Sequence, residues 1–388
     1  MSMALLMTIA VLLAGGMGVA LLGSVKVALA RKLQMSEARV GGMVSVFGLA
    51  TIPVFPSVGF VTDLVGKQPV VIGGCFLMTA SLIVLGSARK YRSALVGVLL
   101  FSAAWASLIN VVNPLSVIVF GKPEVFATNL ACFIFGIGAF ATPLAVAWLL
   151  QRVSLTRALL LLGVFALLPA ALVPAVDFSA LAPPAAEQEA AGEAAAGMAT
   201  LLKDPVMWLL ILAFLFYGPL EAATGAWTTT YLGDSGVSEK ATSSLLSAFW
   251  ATYTVSRLIT ALTVYFAELP AQGQRALILA FGLASVVVLS GIVRVRGRGA
   301  AIGMVIAAGV AFGPIFPTIM GVLMGHFPKS VHGRAVGLLF AIGGIGTATI
   351  PAAMGAYAKR TSVQRGFLIA VGAAAALSAV ALILVAWR

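Results

Sequence analysis

Charged residues in this chain fall in short groups, and long apolar runs separate one group from the next. A helix needs roughly 20 predominantly apolar residues to cross a hydrocarbon core. Cutting the chain at its charge groups leaves twelve runs of that kind, near 4–30, 40–61, 69–88, 94–120, 125–151 and 158–178, then 205–232, 242–266, 276–293, 300–326, 335–357 and 366–387. These are helices 1 to 12. Most joining segments are only a few residues long, so successive helices should be antiparallel neighbours. One joint differs: 179–204 is rich in Ala, Pro and Glu and reads as a linker ending in a short surface helix. It divides an N-terminal half, 1–178, from a C-terminal half, 205–388, with six helices in each.

The halves resemble each other. Met35-Ser36-Glu37-Ala38, leading to Phe47, matches Val237-Ser238-Glu239-Lys240, leading to Phe249, without a gap. Phe135-Gly136-Ile137-Gly138 with Pro143 matches Gly343-Gly344-Ile345-Gly346 with Pro351. Two parallel six-helix repeats place a solute site near the bilayer midplane, where the repeats meet.

Composition supports lipid as the solvent. Of 388 residues, 61% are hydrophobic and 9% charged, with a mean hydropathy of +1.10, whereas soluble domains run near ~25% charged. The net charge of +12 comes from clusters between apolar runs, with no basic helix or motif that would bind nucleic acid. Cys75 and Cys132 both fall inside apolar runs and make no disulfide framework. His326 and His332 flank one loop without metal-ligand neighbours. The sequence offers no nucleophile–base pair, metal cluster or nucleotide loop, so neither enzyme activity nor a cofactor is expected. The expectation is an all-α integral membrane protein, acting as a monomer in the bilayer.

Between helices 2 and 3 stands Gly59-Phe60-Val61-Thr62-Asp63-Leu64-Val65-Gly66-Lys67, which resembles the loop signature of the major facilitator superfamily. Gly66 permits a tight turn, and Asp63 can take the partial positive charge of a helix N-terminus. The resemblance implies the major facilitator fold, a multi-pass protein of the cell (inner) membrane, and termini and linker in the cytoplasm. Charge counting opposes that orientation. Fifteen Lys and Arg fall in loops 1–2, 3–4, 5–6, 7–8, 9–10 and 11–12, against seven on the opposite side counting Arg388. The positive-inside rule alone would turn the protein over. The motif and the repeat constrain fold and orientation together, so the family topology is adopted here.

Several helices are similar to the fucose/glucose–proton symporter branch. Helix 4 has Asn113-Pro114, helix 7 Tyr217-Gly218-Pro219-Leu220-Glu221, helix 8 Phe249-Trp250 and Arg257-Leu258, and helix 10 Gly313-Pro314-Ile315-Phe316-Pro317-Thr318. That resemblance implies an acid on helix 1 and another on helix 4, but Gly23 and Ile109 stand at those places. Sugar transport coupled through those acids is therefore not carried over.

Candidate site residues follow from the cost of polarity in lipid, roughly 2.5–3.5 kcal/mol for an ionisable group at mid-helix. Glu221 lies near the middle of helix 7. Tyr217, Glu221, Thr224, Thr228 and Tyr231 recur at helical spacing on one face, which should turn toward a central cavity. A carboxyl there can cross as its neutral form at far lower cost than as an anion, so Glu221 is the candidate proton carrier; packing as a hydrogen-bonded acid is the alternative. Lys26 on helix 1 either snorkels to the membrane surface or attracts an anionic solute. Ser107, Asn110 and Asn113 give helix 4 a polar face, for binding solute or for bonds between helices. Trp227, Trp250 and Tyr253 could stack on a sugar ring or other flat solute, and Trp227 and Trp250 could equally be interfacial anchors or core. Pro114, Pro314 and Pro317 should break or bend helices 4 and 10, as gating helices need. Arg257 should tie helix ends together at the inner face.

The expected function is secondary transport of a small polar organic solute, sugar-like or an organic acid, by alternating access, with protons as a coupling partner through Glu221. The alternative is a drug or amphiphile exporter of the same fold, which needs only one such acid. Single cysteines in intact cells test the adopted topology. Ser93→Cys should label from outside and Ala191→Cys should not; the reverse pattern would turn the protein over.

Overall fold

The computed structural model describes residues 2–179, 181 and 198–387. Among them the chain is helical, with no strand, and twelve helices are long and apolar enough to span a bilayer. In order, helices 1 to 6 are Met3–Leu33, Arg39–Val65, Lys67–Ser87, Tyr91–Phe120, Glu124–Leu150 and Leu155–Ala175. Helices 7 to 12 are Pro205–Asp234, Ser244–Phe266, Ala271–Arg294, Arg298–His326, Lys329–Arg360 and Val363–Ala386. Residues 182–197 of the expected linker lie outside the described residues. The linker's end forms a short helix, Met198–Lys203.

Local chemistry explains where these helices start and stop. The Ser2, Ser154 and Ser362 hydroxyls accept the N–H of Leu5, Arg157 and Arg365 and so cap helices 1, 6 and 12. Asp204 caps helix 7 through the N–H groups of Val206 and Met207, with Pro205 in the first turn. Gly66, at φ +87°, makes the whole turn from helix 2 to helix 3, a backbone state that a side chain would strain. The proline expectations divide. Helix 4 runs unbroken through Pro114, so that residue does not break it. Helix 10 is interrupted, with Arg298–Phe312 and Ile315–His326 separated by Gly313 and Pro314. Large apolar side chains such as Phe140, Leu144 and Val287 face outward, as the lipid-facing side of a membrane protein requires.

Glycines set how closely the helices pack, and they do so alike in the two halves. A Cβ at Gly16 of helix 1 would overlap Phe135 O of helix 5, and one at Gly138 would overlap Leu13 O. A Cβ at Gly218 of helix 7 would overlap Thr347 Oγ1 of helix 11, and one at Gly346 would overlap Leu215 O. Gly138 and Gly346 are the positions that the sequence repeat equates, so a shared sequence pattern makes the same backbone-to-backbone contact twice. Such contacts matter in lipid, where association rests on close packing and not on a hydrophobic drive.

Grouped by contact, the chain forms two compact units. One holds helices 1–4, most of helix 5, helix 6 and the start of helix 11, Phe327–Ala341; the other holds the start of helix 5, Lys122–Phe133, helices 7–10, the rest of helix 11 from Ile342, and helix 12. Each unit thus borrows the first turns of one helix from the opposite half of the sequence. Two substitutions check the glycine packing. Gly346→Ala must push the Leu215 carbonyl away, and overpacking of this kind costs about 1–3 kcal/mol. It should lower the melting temperature in detergent. Gly344→Ala, where the added carbon meets nothing within 4 Å, should leave it unchanged.

Candidate functional site

The second unit contains a hydrogen-bonded group of four polar side chains, and a proline explains how it is anchored. Pro317 has no N–H, so the carbonyl of Gly313, one turn earlier, loses its helical donor. Arg257 of helix 8 supplies one: its Nε donates to Gly313 O at 2.9 Å. The same guanidinium donates through Nη1 to Cys132 O of helix 5 at 3.2 Å and through Nη2 to Tyr253 Oη at 2.7 Å. It also lies over the Tyr253 ring, 4.2 Å from the centroid. Arg257 is 6% exposed. It therefore sits deep in helix 8, on a break in helix 10 and on the body of helix 5. The expectation that it ties helix ends together is corrected: water cannot solvate it here, so the side chain turns to backbone carbonyls, one of which, Gly313 O, lacks a helical donor.

Tyr253 passes this arrangement on to Glu221. Its hydroxyl lies 2.7 Å from Glu221 Oε2, and Tyr217 Oη lies 2.9 Å from the same oxygen. The two phenol oxygens are themselves 2.7 Å apart. Both tyrosines are almost wholly buried, while Glu221 is half-buried. Trp250 meets the Tyr253 ring edge-on, with centroids 5.2 Å apart, and the start of helix 5 fastens to helix 10 through Thr128 Oγ1, which donates to Pro317 O at 2.6 Å. A half-buried carboxyl held by two phenols, with a guanidinium behind one of them, can exchange a proton or receive a polar solute.

The other residues of the expected helix 7 face do not join this group. The hydroxyls of Thr224 and Thr228 are buried without a hydrogen-bond partner. Tyr231 donates to Ile292 O of helix 9 at 3.3 Å and packs edge-on against Phe367 of helix 12. Tyr231 is bonded to helix 9 and packed on helix 12, so the expectation of one shared cavity face does not extend to it. A straight helix drifts relative to a fixed neighbour, and over fourteen residues its ends meet different helices. Trp227 lies against Gly355 of helix 11, where an added Cβ would come within 2.9 Å of the indole.

In the first unit, the polar face of helix 4 is mostly spent on backbone. Ser107 Oγ donates to Ala103 O at 2.8 Å and Asn113 Nδ2 to Ile109 O at 2.7 Å, both within their own helix. Asn110 Nδ2 donates to Gly333 O at the start of helix 11, at 2.9 Å, and its Oδ1 is buried without a partner. Lys26 is half-buried on helix 1. Asp63 caps helix 11: its Oδ1 accepts Gly333 N, and its Oδ2 accepts both Arg334 N and Arg334 Nε, each at 2.9 Å. The ion pair is shielded, with 8% of the Asp63 side chain and 17% of that of Arg334 exposed. Sequence reasoning placed an acid before a helix N-terminus but missed its partners, Gly333 and Arg334. The one available signal was the His332-Gly333-Arg334 group directly before an apolar run. Cys132 was also missed, and no sequence signal marks it, because its backbone carbonyl makes the contact.

Known proteins agree with this architecture. The Major Facilitator Superfamily model matches residues 7–351. The bypass of stop codon protein 6 of Saccharomyces cerevisiae is 30% identical over 178 residues, 44% of this chain and 36% of that protein. The match thus spans about a third of the length of that curated relative. Among solved structures, the Escherichia coli fucose:proton symporter superposes with a TM-score of 0.78 at 16% identity, covering 99% of both chains. The human organic anion transporter TETRAN gives 0.76 at 16% identity over 97% of this chain and 98% of that one. A bacterial homologue of the iron transporter ferroportin gives 0.76 at 13% identity over 99% of each. At these identities the likeness is one of fold.

Arg257→Lys tests the anchoring. A lysine keeps the charge but cannot reach three acceptors on separate helices, and a buried acceptor left unpaired, as Gly313 O would be, costs about 1–3 kcal/mol. The melting temperature in detergent, followed by tryptophan fluorescence, should fall by several degrees. An unchanged value would show that the guanidinium contacts do not hold helices 5, 8 and 10 together.

Proposed function

The chain belongs to the Major Facilitator Superfamily, and from that premise we propose that it moves a small polar organic solute across the membrane by alternating access, with Glu221 carrying the coupled proton. Secondary transport follows from the fold; the solute class and the coupling are our reading. The observation that carries it is the position of Glu221. It is a half-buried carboxyl in the middle of helix 7, bonded by Tyr217 and Tyr253, with the cation of Arg257 one phenol away.

A proton carrier must hold its proton while closed off and release it when opened. Moving a bare carboxylate through an occluded, lipid-surrounded interior would cost far more than moving the neutral acid. Glu221 suits that role because it is half-buried and neighbouring hydroxyls can donate to or accept from it. Among solutes, an organic acid fits better than a neutral sugar. Arg257 places positive charge one phenol away from Glu221, and Gly23 and Ile109 stand where the sugar carriers would have acids. We read the protein as a monomer of the cell (inner) membrane, with its termini and the 179–204 linker in the cytoplasm. We read the chain as two six-helix halves, 1–178 and 205–388, joined by that linker. The drug-exporter reading draws support from the aromatic group of Phe249, Trp250 and Tyr253. It predicts binding of amphiphiles in place of small acids.

Solutes raising the melting temperature of the purified protein, from a panel of organic acids, sugars and amphiphilic drugs, identify the class. Uptake of such a solute into proteoliposomes then tests the coupling. Glu221→Gln, which mimics the protonated acid, should abolish uptake driven by a pH gradient. It should leave solute exchange at equal pH largely intact. Accumulation by Glu221→Gln at the wild-type level would remove Glu221 from the coupling.

A further inference from the structure

Three oxygens meet beside Arg257, and the number of protons among them can be counted. Tyr217 Oη and Tyr253 Oη lie 2.9 and 2.7 Å from Glu221 Oε2, and 2.7 Å from each other. Every side of this triangle is a hydrogen-bond length, and two oxygens come that close favourably only with a proton between them. Each phenol has one proton to give. Arg257 Nη2 donates to Tyr253 Oη from outside the triangle, at 2.7 Å, so it fills a lone pair and adds no proton to any side.

With Glu221 ionised, two protons serve three sides. Both phenols would then donate to the carboxylate, and the tyrosine–tyrosine side would set lone pairs against each other at 2.7 Å. One more proton removes the conflict. We propose that Tyr217, Glu221 and Tyr253 form a proton-binding site, in which the proton on Glu221 closes a ring of three hydrogen bonds. Glu221 Oε2 donates to Tyr217 Oη, Tyr217 donates to Tyr253 Oη, and Tyr253 donates back to Glu221 Oε2. Tyr253 Oη then accepts from both Tyr217 and Arg257, which uses both of its lone pairs.

This rests on the reading of Glu221 as the coupling group and adds what the proton does. Loss of the proton to water leaves a carboxylate that takes both phenol protons, so the contact between Tyr217 and Tyr253 must open. That contact joins helix 7 to helix 8, and Tyr253 is also an acceptor for the guanidinium that ties helix 8 to helices 5 and 10. Proton binding is thereby linked to the fit of helix 7 against the other three. The titratable and charged groups gathered around Glu221 are Tyr217 on its own helix, Tyr253 and Arg257 on helix 8, and Cys132 on helix 5, whose carbonyl takes the guanidinium. The interiors of helix 10 (299–325), helix 11 from 342 to 356 and helix 12 (366–386) bring no acidic, basic, tyrosine or cysteine side chain. Arg257 Nη2 reaches the carboxyl only through the Tyr253 oxygen, so it leaves the count of protons unchanged.

Infrared spectra of the full-length protein in lipid nanodiscs at neutral pH test the ring. Wild type should show a protonated-carboxyl C=O band that shifts in heavy water and is missing from Glu221→Gln. In Tyr217→Phe the remaining Glu221–Tyr253 side needs only the Tyr253 proton, so the band should be lost at the same pH. Tyr253→Phe should lose it likewise, and serves if the first variant does not fold. A wild type without the band, a band that survives Glu221→Gln, or phenylalanine variants that keep it at full strength would overturn the proposal. Failure of the coupling reading is separate, because it shows in gradient-driven uptake by Glu221→Gln whatever the infrared result.

Discussion

A guanidinium enclosed among membrane helices has to be surrounded by acceptors, and the arrangement around Arg257 follows from that requirement. Burying its charge unpaired would cost several kcal/mol or more. Two of the acceptors are backbone carbonyls on different helices, Gly313 O and Cys132 O, and the third is the Tyr253 hydroxyl. Pro317 frees the first of these by lacking an N–H. The break in helix 10 and the buried cation of helix 8 thus satisfy each other, and neither would be stable alone. Tyr253 is held from one side by the guanidinium, so the place where its hydroxyl meets Glu221 is set before any solute arrives. Such preorganisation is what a binding site needs, because ordering side chains on binding subtracts from affinity.

The remainder of the second unit keeps these groups in register. Helix 7 lies against helix 11 through Gly218 and Gly346, which fixes the height of Tyr217 and Glu221. The start of helix 5 is pinned to helix 10 by Thr128 on Pro317 O and by Asn129 Nδ2 on Thr318 Oγ1 at 3.3 Å. A Cβ at Gly321 would come within 2.5 Å of Val125 Cα, so those two backbones are nearly in contact. These contacts use small residues and hydroxyls, as expected where lipid competes equally for large apolar side chains.

The first unit shows a different use of charge. Asp63 and Arg334 are paired, and the carboxylate also takes the first free N–H groups of helix 11. Both of its oxygens are occupied, which makes this a fastening and leaves nothing for a solute. Glu221 contrasts with it, for only Oε2 takes part in the hydrogen bonds to tyrosine. Next to Asp63, Gly59 lies so close to the backbone of Gly333 that a Cβ would overlap the Gly333 carbonyl, and Phe55 stacks on Phe340 with centroids 4.2 Å apart. The Asp63 carboxylate is thus engaged through both oxygens, whereas the hydrogen bonds of Glu221 to tyrosine leave its Oε1 out.

The fold was legible in the sequence to a large degree, and the candidate site in part. Twelve apolar runs bounded by charges became twelve helices, because in lipid every backbone N–H and C=O must be satisfied within its own helix, so length and hydropathy alone decide the element. The pattern shared by 135–138 and 343–346 marked the repeat, and the structure shows that its glycines make the same close backbone contact in each half, since only glycine admits backbones that close. Glu221 stood out because an acid in a span is costly. What sequence could not determine was who meets whom. The period of helix 7 put Tyr217, Thr228 and Tyr231 on one face, yet only the packed neighbours decide that Tyr217 turns to Glu221 while Tyr231 turns to Ile292. Pro114 and Pro317 look alike in the sequence, but helix 4 continues and helix 10 opens. The partners of Arg257 include carbonyls of Cys132 and Gly313, which every residue type carries. A backbone acceptor leaves no mark in the sequence, and three-dimensional proximity alone selects it.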